Sequence, residues 1–119
     1  MPKGNNTSED DNVRLSAIDE DVLTVLLGRE LYGGDILKDL NPGRKIPLKL
    51  KSLYPALNRL ERKGLISWRW GDATEATGGA RRKYYKVTGL GASVLNDVQV
   101  YRAMLKKRAW AGHTALGGA

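Results

Sequence analysis

Apolar residues recur every three or four positions in three stretches of the chain up to residue 64, which is the spacing of amphipathic helices. The first stretch follows Ser16, a predicted N-cap that faces Asp19 in a short form of the capping box, and ends near Gly28. The second runs from Gly34 to Leu40 and ends at an Asn-Pro-Gly turn. The apolar positions of the first and third stretches are Ile18, Val22, Val25 and Leu26, and Leu53, Leu57 and Leu60.

The third predicted helix contains a proline, which constrains where the helix begins. Pro55 is compatible with the first turn of a helix whose N-cap is Ser52, because backbone amides in a first turn lack partners. The alternative is an earlier start with a kink. Gly64 is positioned as the C-cap in either case.

Alternation of apolar and polar residues predicts β-strands elsewhere. Alternation over 46–50 predicts a short strand, which Pro47 confines to a sheet edge. The segments 66–70 and 81–87 are predicted to form a hairpin with the loop 71–80 at its tip. The two tryptophans of the first hairpin strand lie on one face.

A long helix is predicted after the hairpin, from apolar residues spaced four, three and four positions apart. These residues are Val94, Val98, Tyr101 and Leu105. Because little core remains for one late helix to cover, we interpret them as a dimer interface. The helix is expected to fray after Trp110.

This order of elements predicts an α+β fold, mainly α: a winged helix-turn-helix of three helices and a β-hairpin wing, with an additional long C-terminal helix. The predicted parts are a disordered acidic and polar tail, a winged-helix DNA-binding domain, a C-terminal dimerisation helix and a disordered Gly- and Ala-rich tail. Their bounds are 1–14, 15–88, 89–111 and 112–119.

Charge is distributed unevenly along the chain, whose net charge is +7. Before Arg44, four basic residues stand against nine acidic ones, a net charge of −5, and from Arg44 onward sixteen stand against four, a net charge of +12. So basic a region predicts a polyanionic partner. No amphipathic helix presents a large apolar face for lipid, so we expect double-stranded DNA and no membrane.

Several classes of function are disfavoured by residues that the sequence lacks. There is no cysteine and His113 is the one histidine, so we expect no metal site, no cofactor and no enzyme. No apolar run approaches the ~20 residues of a membrane span. The polar residues 1–12 differ from a secretory signal. We therefore expect a cytoplasmic, nucleoid-associated protein.

The polar face of the third helix is a candidate DNA-reading surface. At about 100° per residue, this face turns away from the leucine stripe. Asn58 and Arg59 have side chains that hydrogen-bond base edges, and the lysines suit phosphates. An ordinary solvated face explains the same pattern. The candidate residues are Lys49, Lys51, Pro55, Asn58, Arg59 and Arg62.

A second basic cluster lies at the hairpin tip, where Gly78 and Gly79 precede Arg81, Arg82 and Lys83. Glycine permits close approach to a phosphate, and arginine enters a narrow minor groove. The alternative is a charged edge that discourages strand-to-strand aggregation. Together with the basic helix, the cluster favours DNA.

Tryptophans are the remaining candidates for a site. Trp68 and Trp70 fit the core or a dimer surface. The alternative is an apolar cleft between subunits that holds a flat ligand, with Trp110 as a further wall. A small-molecule effector is therefore left open.

These residues resemble a known family. SLYPALNRLERKGLI from Ser52 to Ile66 and GGARRKYYKVTGLG from Gly78 to Gly91 are similar to the PadR-like family of bacterial transcriptional regulators, as is LYGGDILKDL from Leu31 to Leu40. The resemblance implies a homodimeric winged-helix DNA-binding protein, usually a repressor, with the third helix in the major groove and the C-terminal helix in the dimer. The groove-facing positions that it implies are Lys51, Ser52, Tyr54, Pro55 and Asn58, and its wing is Gly79 to Lys83.

Two positions depart from the family pattern. Gly34 stands where members often carry an aromatic residue, and this should loosen the start of the second helix. Lys51 stands where a glycine commonly precedes the Ser/Thr-Leu-Tyr-Pro run.

The sequence therefore predicts a dimeric repressor that binds a pseudo-palindromic operator. A protein-interaction adaptor of the same shape, without operator binding, is the alternative. A domain that binds single-stranded RNA is less favoured, because few exposed aromatic residues are available for base stacking.

Overall fold

The computed structural model describes residues 14–72 and 81–117, with side chains as far as 114. Helices and strands in these residues alternate in the order that a winged helix requires. They are α1 (Ala17–Leu26), β1 (Leu31–Tyr32), α2 (Gly33–Leu40), α3 (Leu50–Arg62), β2 (Ile66–Trp70), β3 (Lys83–Val87) and α4 (Gly89–Gly117). The predicted winged helix-turn-helix with an additional long helix is confirmed.

The first helix begins at the predicted cap. Ser16 Oγ accepts from the Asp19 amide at 3.1 Å, and Asp19 Oδ2 accepts from the Ser16 amide at 3.3 Å. These reciprocal bonds satisfy amides that a helix start leaves without partners. α1 ends at Leu26, and Gly28 follows with a positive φ of 68°, a conformation that glycine adopts without strain.

The predicted edge strand at 46–50 is wrong. This segment forms no strand, and Ile46 is 78% exposed. Asn41 explains the difference, because its side-chain amide donates to the Leu48 carbonyl at 3.1 Å and its side-chain oxygen accepts from the Leu48 amide at 2.8 Å. One side chain therefore satisfies the backbone groups that a neighbouring strand would have paired. The strand that pairs with the hairpin at one edge of the sheet is instead the two-residue β1.

The third helix begins earlier than Ser52, as in the alternative prediction. Lys49 is the N-cap, and its carbonyl accepts from the amides of Ser52 at 2.9 Å and Leu53 at 3.0 Å. Pro55 lies inside the helix and has no amide to donate to the preceding turn. The C-cap is Lys63, and Gly64, predicted as the C-cap, lies one residue beyond it with a φ of 76°.

The three strands form an antiparallel sheet in the order β1-β3-β2. β2 and β3 pair from Ile66 opposite Val87 to Trp70 opposite Lys83, which confirms the predicted hairpin. Tyr85 is 3% exposed, so one face of the sheet covers the helical core. The core consists of apolar residues from α1, α2, α3, the sheet and the first turns of α4.

The long helix α4 is anchored at its first turn. The Thr88 hydroxyl donates to the Gly64 carbonyl at 2.7 Å and accepts from the Gly91 amide at 3.0 Å. A Cβ at Gly91 would lie 2.0 Å from the Leu65 carbonyl oxygen, so glycine is required for this close approach. The close contact fixes the direction in which α4 leaves the domain.

The far end of α4 differs from the expectation. The helix continues to Gly117, so residues 112–117 are helical, although the sequence analysis assigned them to a disordered tail. Ala109, Ala111 and Ala115 explain the extension, because alanine has the highest helix propensity and an interior glycine such as Gly112 costs only about 1 kcal/mol. No helix in the described ranges is long and apolar enough to cross a membrane.

Candidate nucleic-acid interface

The outer face of α3 carries the predicted groove-facing residues. Leu53, Leu57 and Leu60 are fully buried on the inner face, and this burial fixes the rotation of the helix. The residues on the opposite side are exposed, and all but the proline are polar, charged or aromatic. They are Lys51, Ser52, Tyr54, Pro55, Asn58 and Arg62, with Lys49 exposed at the N-cap.

The start of α2 lies close against α3. A Cβ at Gly33 would lie 3.2 Å from Leu50 Cδ2 and 3.4 Å from Tyr54 Oη, which is tighter than most contacts in proteins. Glycine at this position lets the two helices of the helix-turn-helix approach. The approach holds Tyr54, 44% exposed, at the edge of the outer face.

Arg59 is placed differently from the sequence prediction. Its guanidinium donates to Asp19 Oδ1 at 2.6 Å, and Asp19 is 2% exposed. A buried carboxylate requires such a partner, because an unpaired charge in the interior is costly. Arg59 therefore joins α3 to α1, and its guanidinium is directed towards Asp19 in this structure.

The described part of the wing brings three cations beside α3. Arg81 is exposed, Arg82 lies over the Tyr32 ring with its Cζ 4.3 Å from the ring centroid, and Lys83 Nζ lies 3.9 Å from the Trp68 ring centroid. Cations at these distances are attracted to the ring face. The predicted wing residues Gly78 and Gly79 lie outside the described residues.

A cleft of about 340 Å³ separates the outer face of α3 from the wing. α3 contributes Tyr54 and Asn58, and β1 contributes Tyr32. The hairpin contributes Trp70 and the three cations Arg81, Arg82 and Lys83. The structure thus brings residues that the sequence analysis assigned to two separate elements to one surface.

The cations around the cleft lack the acidic partners that several arginines of the domain have. Within the described ranges, no carboxylate lies within 4.0 Å of the charged groups of Lys51, Arg62, Arg81, Arg82 or Lys83. Five other arginines, Arg29, Arg44, Arg59, Arg69 and Arg102, are paired with acids at distances between 2.6 and 3.9 Å. The positive charge of the cleft is therefore not neutralised by described acidic side chains, as a phosphate-binding surface requires.

Two groups beside the cleft have shifted pKa values: Glu30, which immediately precedes β1, and Tyr85 in β3. The hydrogen bond from Arg69 lowers the pKa of Glu30, which accepts at 3.0 Å, with the positive charges of Arg69 and Lys86 acting in the same direction. Burial raises the pKa of Tyr85, and its neighbours Tyr54 and Glu61 add to this. Neither group suits acid–base chemistry near neutral pH.

The tryptophans do not form one site within this chain. Trp68 Nε1 donates to Glu61 Oε2 at 2.7 Å, and its ring lies edge-on to Trp70 at 5.2 Å between centroids. Trp110 lies near the end of α4, edge-on to His113 at 5.5 Å between centroids, beside a different cavity. In the described part of the chain, no three histidine, aspartate or glutamate side chains form a group that could hold a metal ion.

The predicted dimer stripe divides between core and surface. Val94, predicted for the interface, is 8% exposed and packs in the domain's own core. Val98 is half-buried against the same core. Further along α4, large apolar side chains are between 43% and 56% exposed: Val100, Tyr101, Met104 and Leu105.

Two functional positions were missed from the sequence. Asp19 precedes Val22, Leu23 and Leu26 by three, four and seven residues, so its place on the buried stripe of α1 was a readable signal of a paired interior acid. Tyr32 gave no such signal, because its contact with Arg82 depends on the pairing of β1 with β3.

Comparison with known proteins gives a consistent result. The model of the Transcriptional regulator PadR-like family matches residues 22–97, which is more than half of the chain. A PadR family transcription regulator from Clostridium difficile is 32% identical, with a TM-score of 0.67 over 77% of this chain and 93% of that one. A PadR-like transcription factor from Bacteroides fragilis is 28% identical, with a TM-score of 0.69 over 88% and 95%.

Bacillus subtilis PadR, solved in complex with operator DNA, is 25% identical, with a TM-score of 0.62. The similarity covers 73% of this chain and 48% of that one. The matched family model includes β1, the helix-turn-helix and the hairpin, and therefore the elements that build the cleft. The chain belongs to the PadR-like family of transcriptional regulators.

Proposed function

We propose that this regulator binds double-stranded DNA at a pseudo-palindromic operator as a homodimer and represses transcription there. α3 enters the major groove, and the wing lies on the backbone or in the minor groove. The observation that carries the proposal is the cleft between α3 and the wing, where cations without described acidic partners stand beside exposed hydrogen-bonding side chains.

The two sides of the cleft suit two kinds of DNA contact. Asn58 is exposed on α3, and an asparagine amide both donates to and accepts from adenine in the major groove. Arg81, Arg82 and Lys83 suit phosphates, which set position and affinity without reading sequence. Bacillus subtilis PadR, which shares this fold, was solved with operator DNA.

Dimerisation is supported by the exposed part of α4. Tyr101 is 56% exposed and Met104 is 53% exposed on a helix that extends away from the domain. Contiguous apolar surface of this kind marks protein–protein contact. A two-fold dimer would place two copies of α3 on half-sites about one helical turn, ~10 bp, apart.

Selection of genomic DNA fragments by the full-length protein at physiological salt tests the proposal. We expect enrichment of an inverted-repeat motif. In a native gel, the protein–DNA complex should migrate as one duplex with two protein chains bound. Retention of fragments without any enriched motif, or no retention, would overturn operator binding and favour a protein-interaction adaptor.

The Asn58→Ala variant tests the reading of bases by α3. The loss of a side chain that reads a base edge should reduce the preference for operator over random DNA by about 1–3 kcal/mol, because random DNA never used that contact. Fluorescence anisotropy with both duplexes measures the ratio. An equal loss on both duplexes would assign Asn58 to a phosphate contact. Lys107→Ala, on the exposed part of α4, is the matched control and should leave the ratio unchanged.

A further inference from the structure

The contact between Arg82 and Tyr32 lies where the edge strand meets the base of the wing. Arg82 Cζ is 4.3 Å from the centroid of the Tyr32 ring, which is well within the range of a cation–π contact. Tyr32 pairs with Tyr84 across the β1–β3 ladder, and Arg82 lies two residues before Tyr84, just ahead of the start of β3. Both members of the contact line the cleft beside Tyr54 and Asn58.

The Tyr32 ring is itself held in place by its surroundings. It packs edge-on against Tyr84, with ring centroids 5.9 Å apart. On another side it lies over Gly34, where a Cβ would be 2.7 Å from Tyr32 Cε2, a distance that real Cβ atoms do not reach. Gly34 is one of the two positions at which this sequence departs from the family pattern. Its missing side chain provides the space that the ring occupies.

A tyrosine ring differs from a carboxylate as a support for arginine. The ring attracts the guanidinium through its face but carries no charge, so it leaves the positive charge and N–H groups for another partner. Within the described ranges no carboxylate is paired with Arg82. A long side chain held in one place before binding loses less conformational entropy when it binds.

We infer that Tyr32 is a positioning residue that holds Arg82 in the cleft, ready for a DNA phosphate where α3 and the wing converge. This inference rests on the proposed function, and it assigns to Gly34 the role of making room for the ring. Tyr32 acts through Arg82, so its effect on DNA binding should vanish when Arg82 is absent.

Replacement of the ring tests the inference. Tyr32→Leu should weaken binding to operator and random duplexes alike by about two- to fivefold, the range that corresponds to an exposed cation–π contact. Tyr32→Phe keeps the ring face and should bind both duplexes as the wild type does. A loss in Tyr32→Phe equal to that in Tyr32→Leu would overturn the inference, because it would assign the effect to the hydroxyl.

A double-mutant cycle separates positioning from a general structural effect. In an Arg82→Ala background, Tyr32→Leu should cause no further loss of DNA affinity, whereas in an Arg81→Ala background it should cause its full loss. Equal further losses in the two backgrounds would show that Tyr32 acts on the fold and not through Arg82. Thermal unfolding curves of all variants identify a temperature at which each is folded, and the DNA affinities are measured at that temperature.

A measurement without DNA distinguishes failure of this inference from failure of the proposed function. The ring current of Tyr32 should shift the NMR signals of the Arg82 side chain upfield, and Tyr32→Leu should remove the shift while Tyr32→Phe retains it. An Arg82 signal that is identical in all three proteins overturns the positioning role. If that shift is present but the wild type binds no duplex, the operator proposal fails, and the role in DNA binding fails with it.

Discussion

Two arginines of similar predicted role, Arg59 and Arg82, are supported in opposite ways. Arg59 on α3 donates to a carboxylate that is 2% exposed, at 2.6 Å. Arg82 at the base of the wing rests on a tyrosine ring, 4.3 Å from its centroid. The carboxylate neutralises the first charge inside the domain, whereas the ring holds the second without neutralising it. The partner of each arginine therefore decides whether its charge is neutralised inside the domain or left for another partner.

The same division separates the inner and outer faces of α3. The inner face combines leucines with the Arg59–Asp19 pair and holds the helix against α1. The outer face presents Asn58 and its neighbours to the cleft and contributes little to the core. Substitutions on the inner face should change stability, and those around the cleft should change DNA binding.

The largest expected effect follows from removing the buried acid. Asp19→Ala leaves Arg59 without its carboxylate and removes one half of the capping box of α1. Loss of a partner from a buried pair and loss of a cap together should lower the free energy of unfolding by about 2–4 kcal/mol. The contribution of the pair to this figure is reduced because Arg59 is 36% exposed, so that water screens its charge. Urea unfolding followed by circular dichroism measures the change.

Asp21 provides a matched control two residues away. Its carboxylate lies 3.9 Å from Arg44, and the two side chains are 53% and 36% exposed. Exposed pairs of this kind contribute about 0–1 kcal/mol, so Asp21→Ala should unfold near the wild-type midpoint. Equal destabilisation by Asp19→Ala and Asp21→Ala would contradict the importance of the buried pair.

The next largest effects are expected when each arginine is replaced and both stability and DNA binding are measured. Arg59→Ala leaves Asp19 buried without its cation and should cost about 1–3 kcal/mol of stability. The salt dependence of DNA binding should not change. Arg82→Ala should preserve stability within about 0.5 kcal/mol, and it should reduce the slope of log K against log salt by about 1, because one phosphate contact is lost.

Unfolding curves and anisotropy titrations at several salt concentrations measure both properties on both variants. The comparison fails if Arg59→Ala reduces the salt slope as Arg82→Ala does. In that case, Arg59 would leave Asp19 and contact phosphate in the complex.

Local signals in the sequence predicted most of the fold. Ser16 and Asp19 marked a cap, Gly64 marked a helix end, and alternation over 66–70 marked a strand, since each depends only on nearby residues. The false strand at 46–50 also matched a local pattern. It failed because the Asn41 side chain satisfies the backbone of Leu48. A side-chain hydrogen bond across a loop leaves no periodic trace.

The candidate site was predictable by region but not by contact. The sequence indicated the outer face of α3 and the base of the wing, since charge and helix periodicity show both. It did not distinguish Arg59 from Asn58, because the acid that pairs with Arg59 lies forty residues earlier in the chain. The Tyr32–Arg82 contact likewise requires the β1–β3 pairing. Partners that are distant in sequence decide which basic residues remain available.

Arg69 is intermediate between Arg59 and Arg82, because it contacts both a carboxylate and a tyrosine ring. Removing its carboxylate partner gives the smallest expected effect on stability. Its guanidinium donates to Glu30 at 3.0 Å and also lies 5.0 Å from the Tyr84 ring centroid, so it has both kinds of support. The hydrogen bond from Arg69 lowers the pKa of Glu30 below its ordinary value of 4.5. Because the folded state favours the ionised carboxylate, this contribution to stability is complete well above pH 4.5 and is lost as the pH falls through the lowered pKa.

Glu30→Gln should therefore melt slightly below the wild type at pH 7, and the difference should shrink as the pH falls towards 3. Thermal unfolding of both proteins across this range measures it, and the pair is exposed enough that salt should also reduce the difference. A difference in melting temperature that persists at the lowest pH would mean that Glu30 acts through packing. Arg69 would then be held chiefly by the Tyr84 ring, as Arg82 is by Tyr32, and the carboxylate would not decide the availability of its charge.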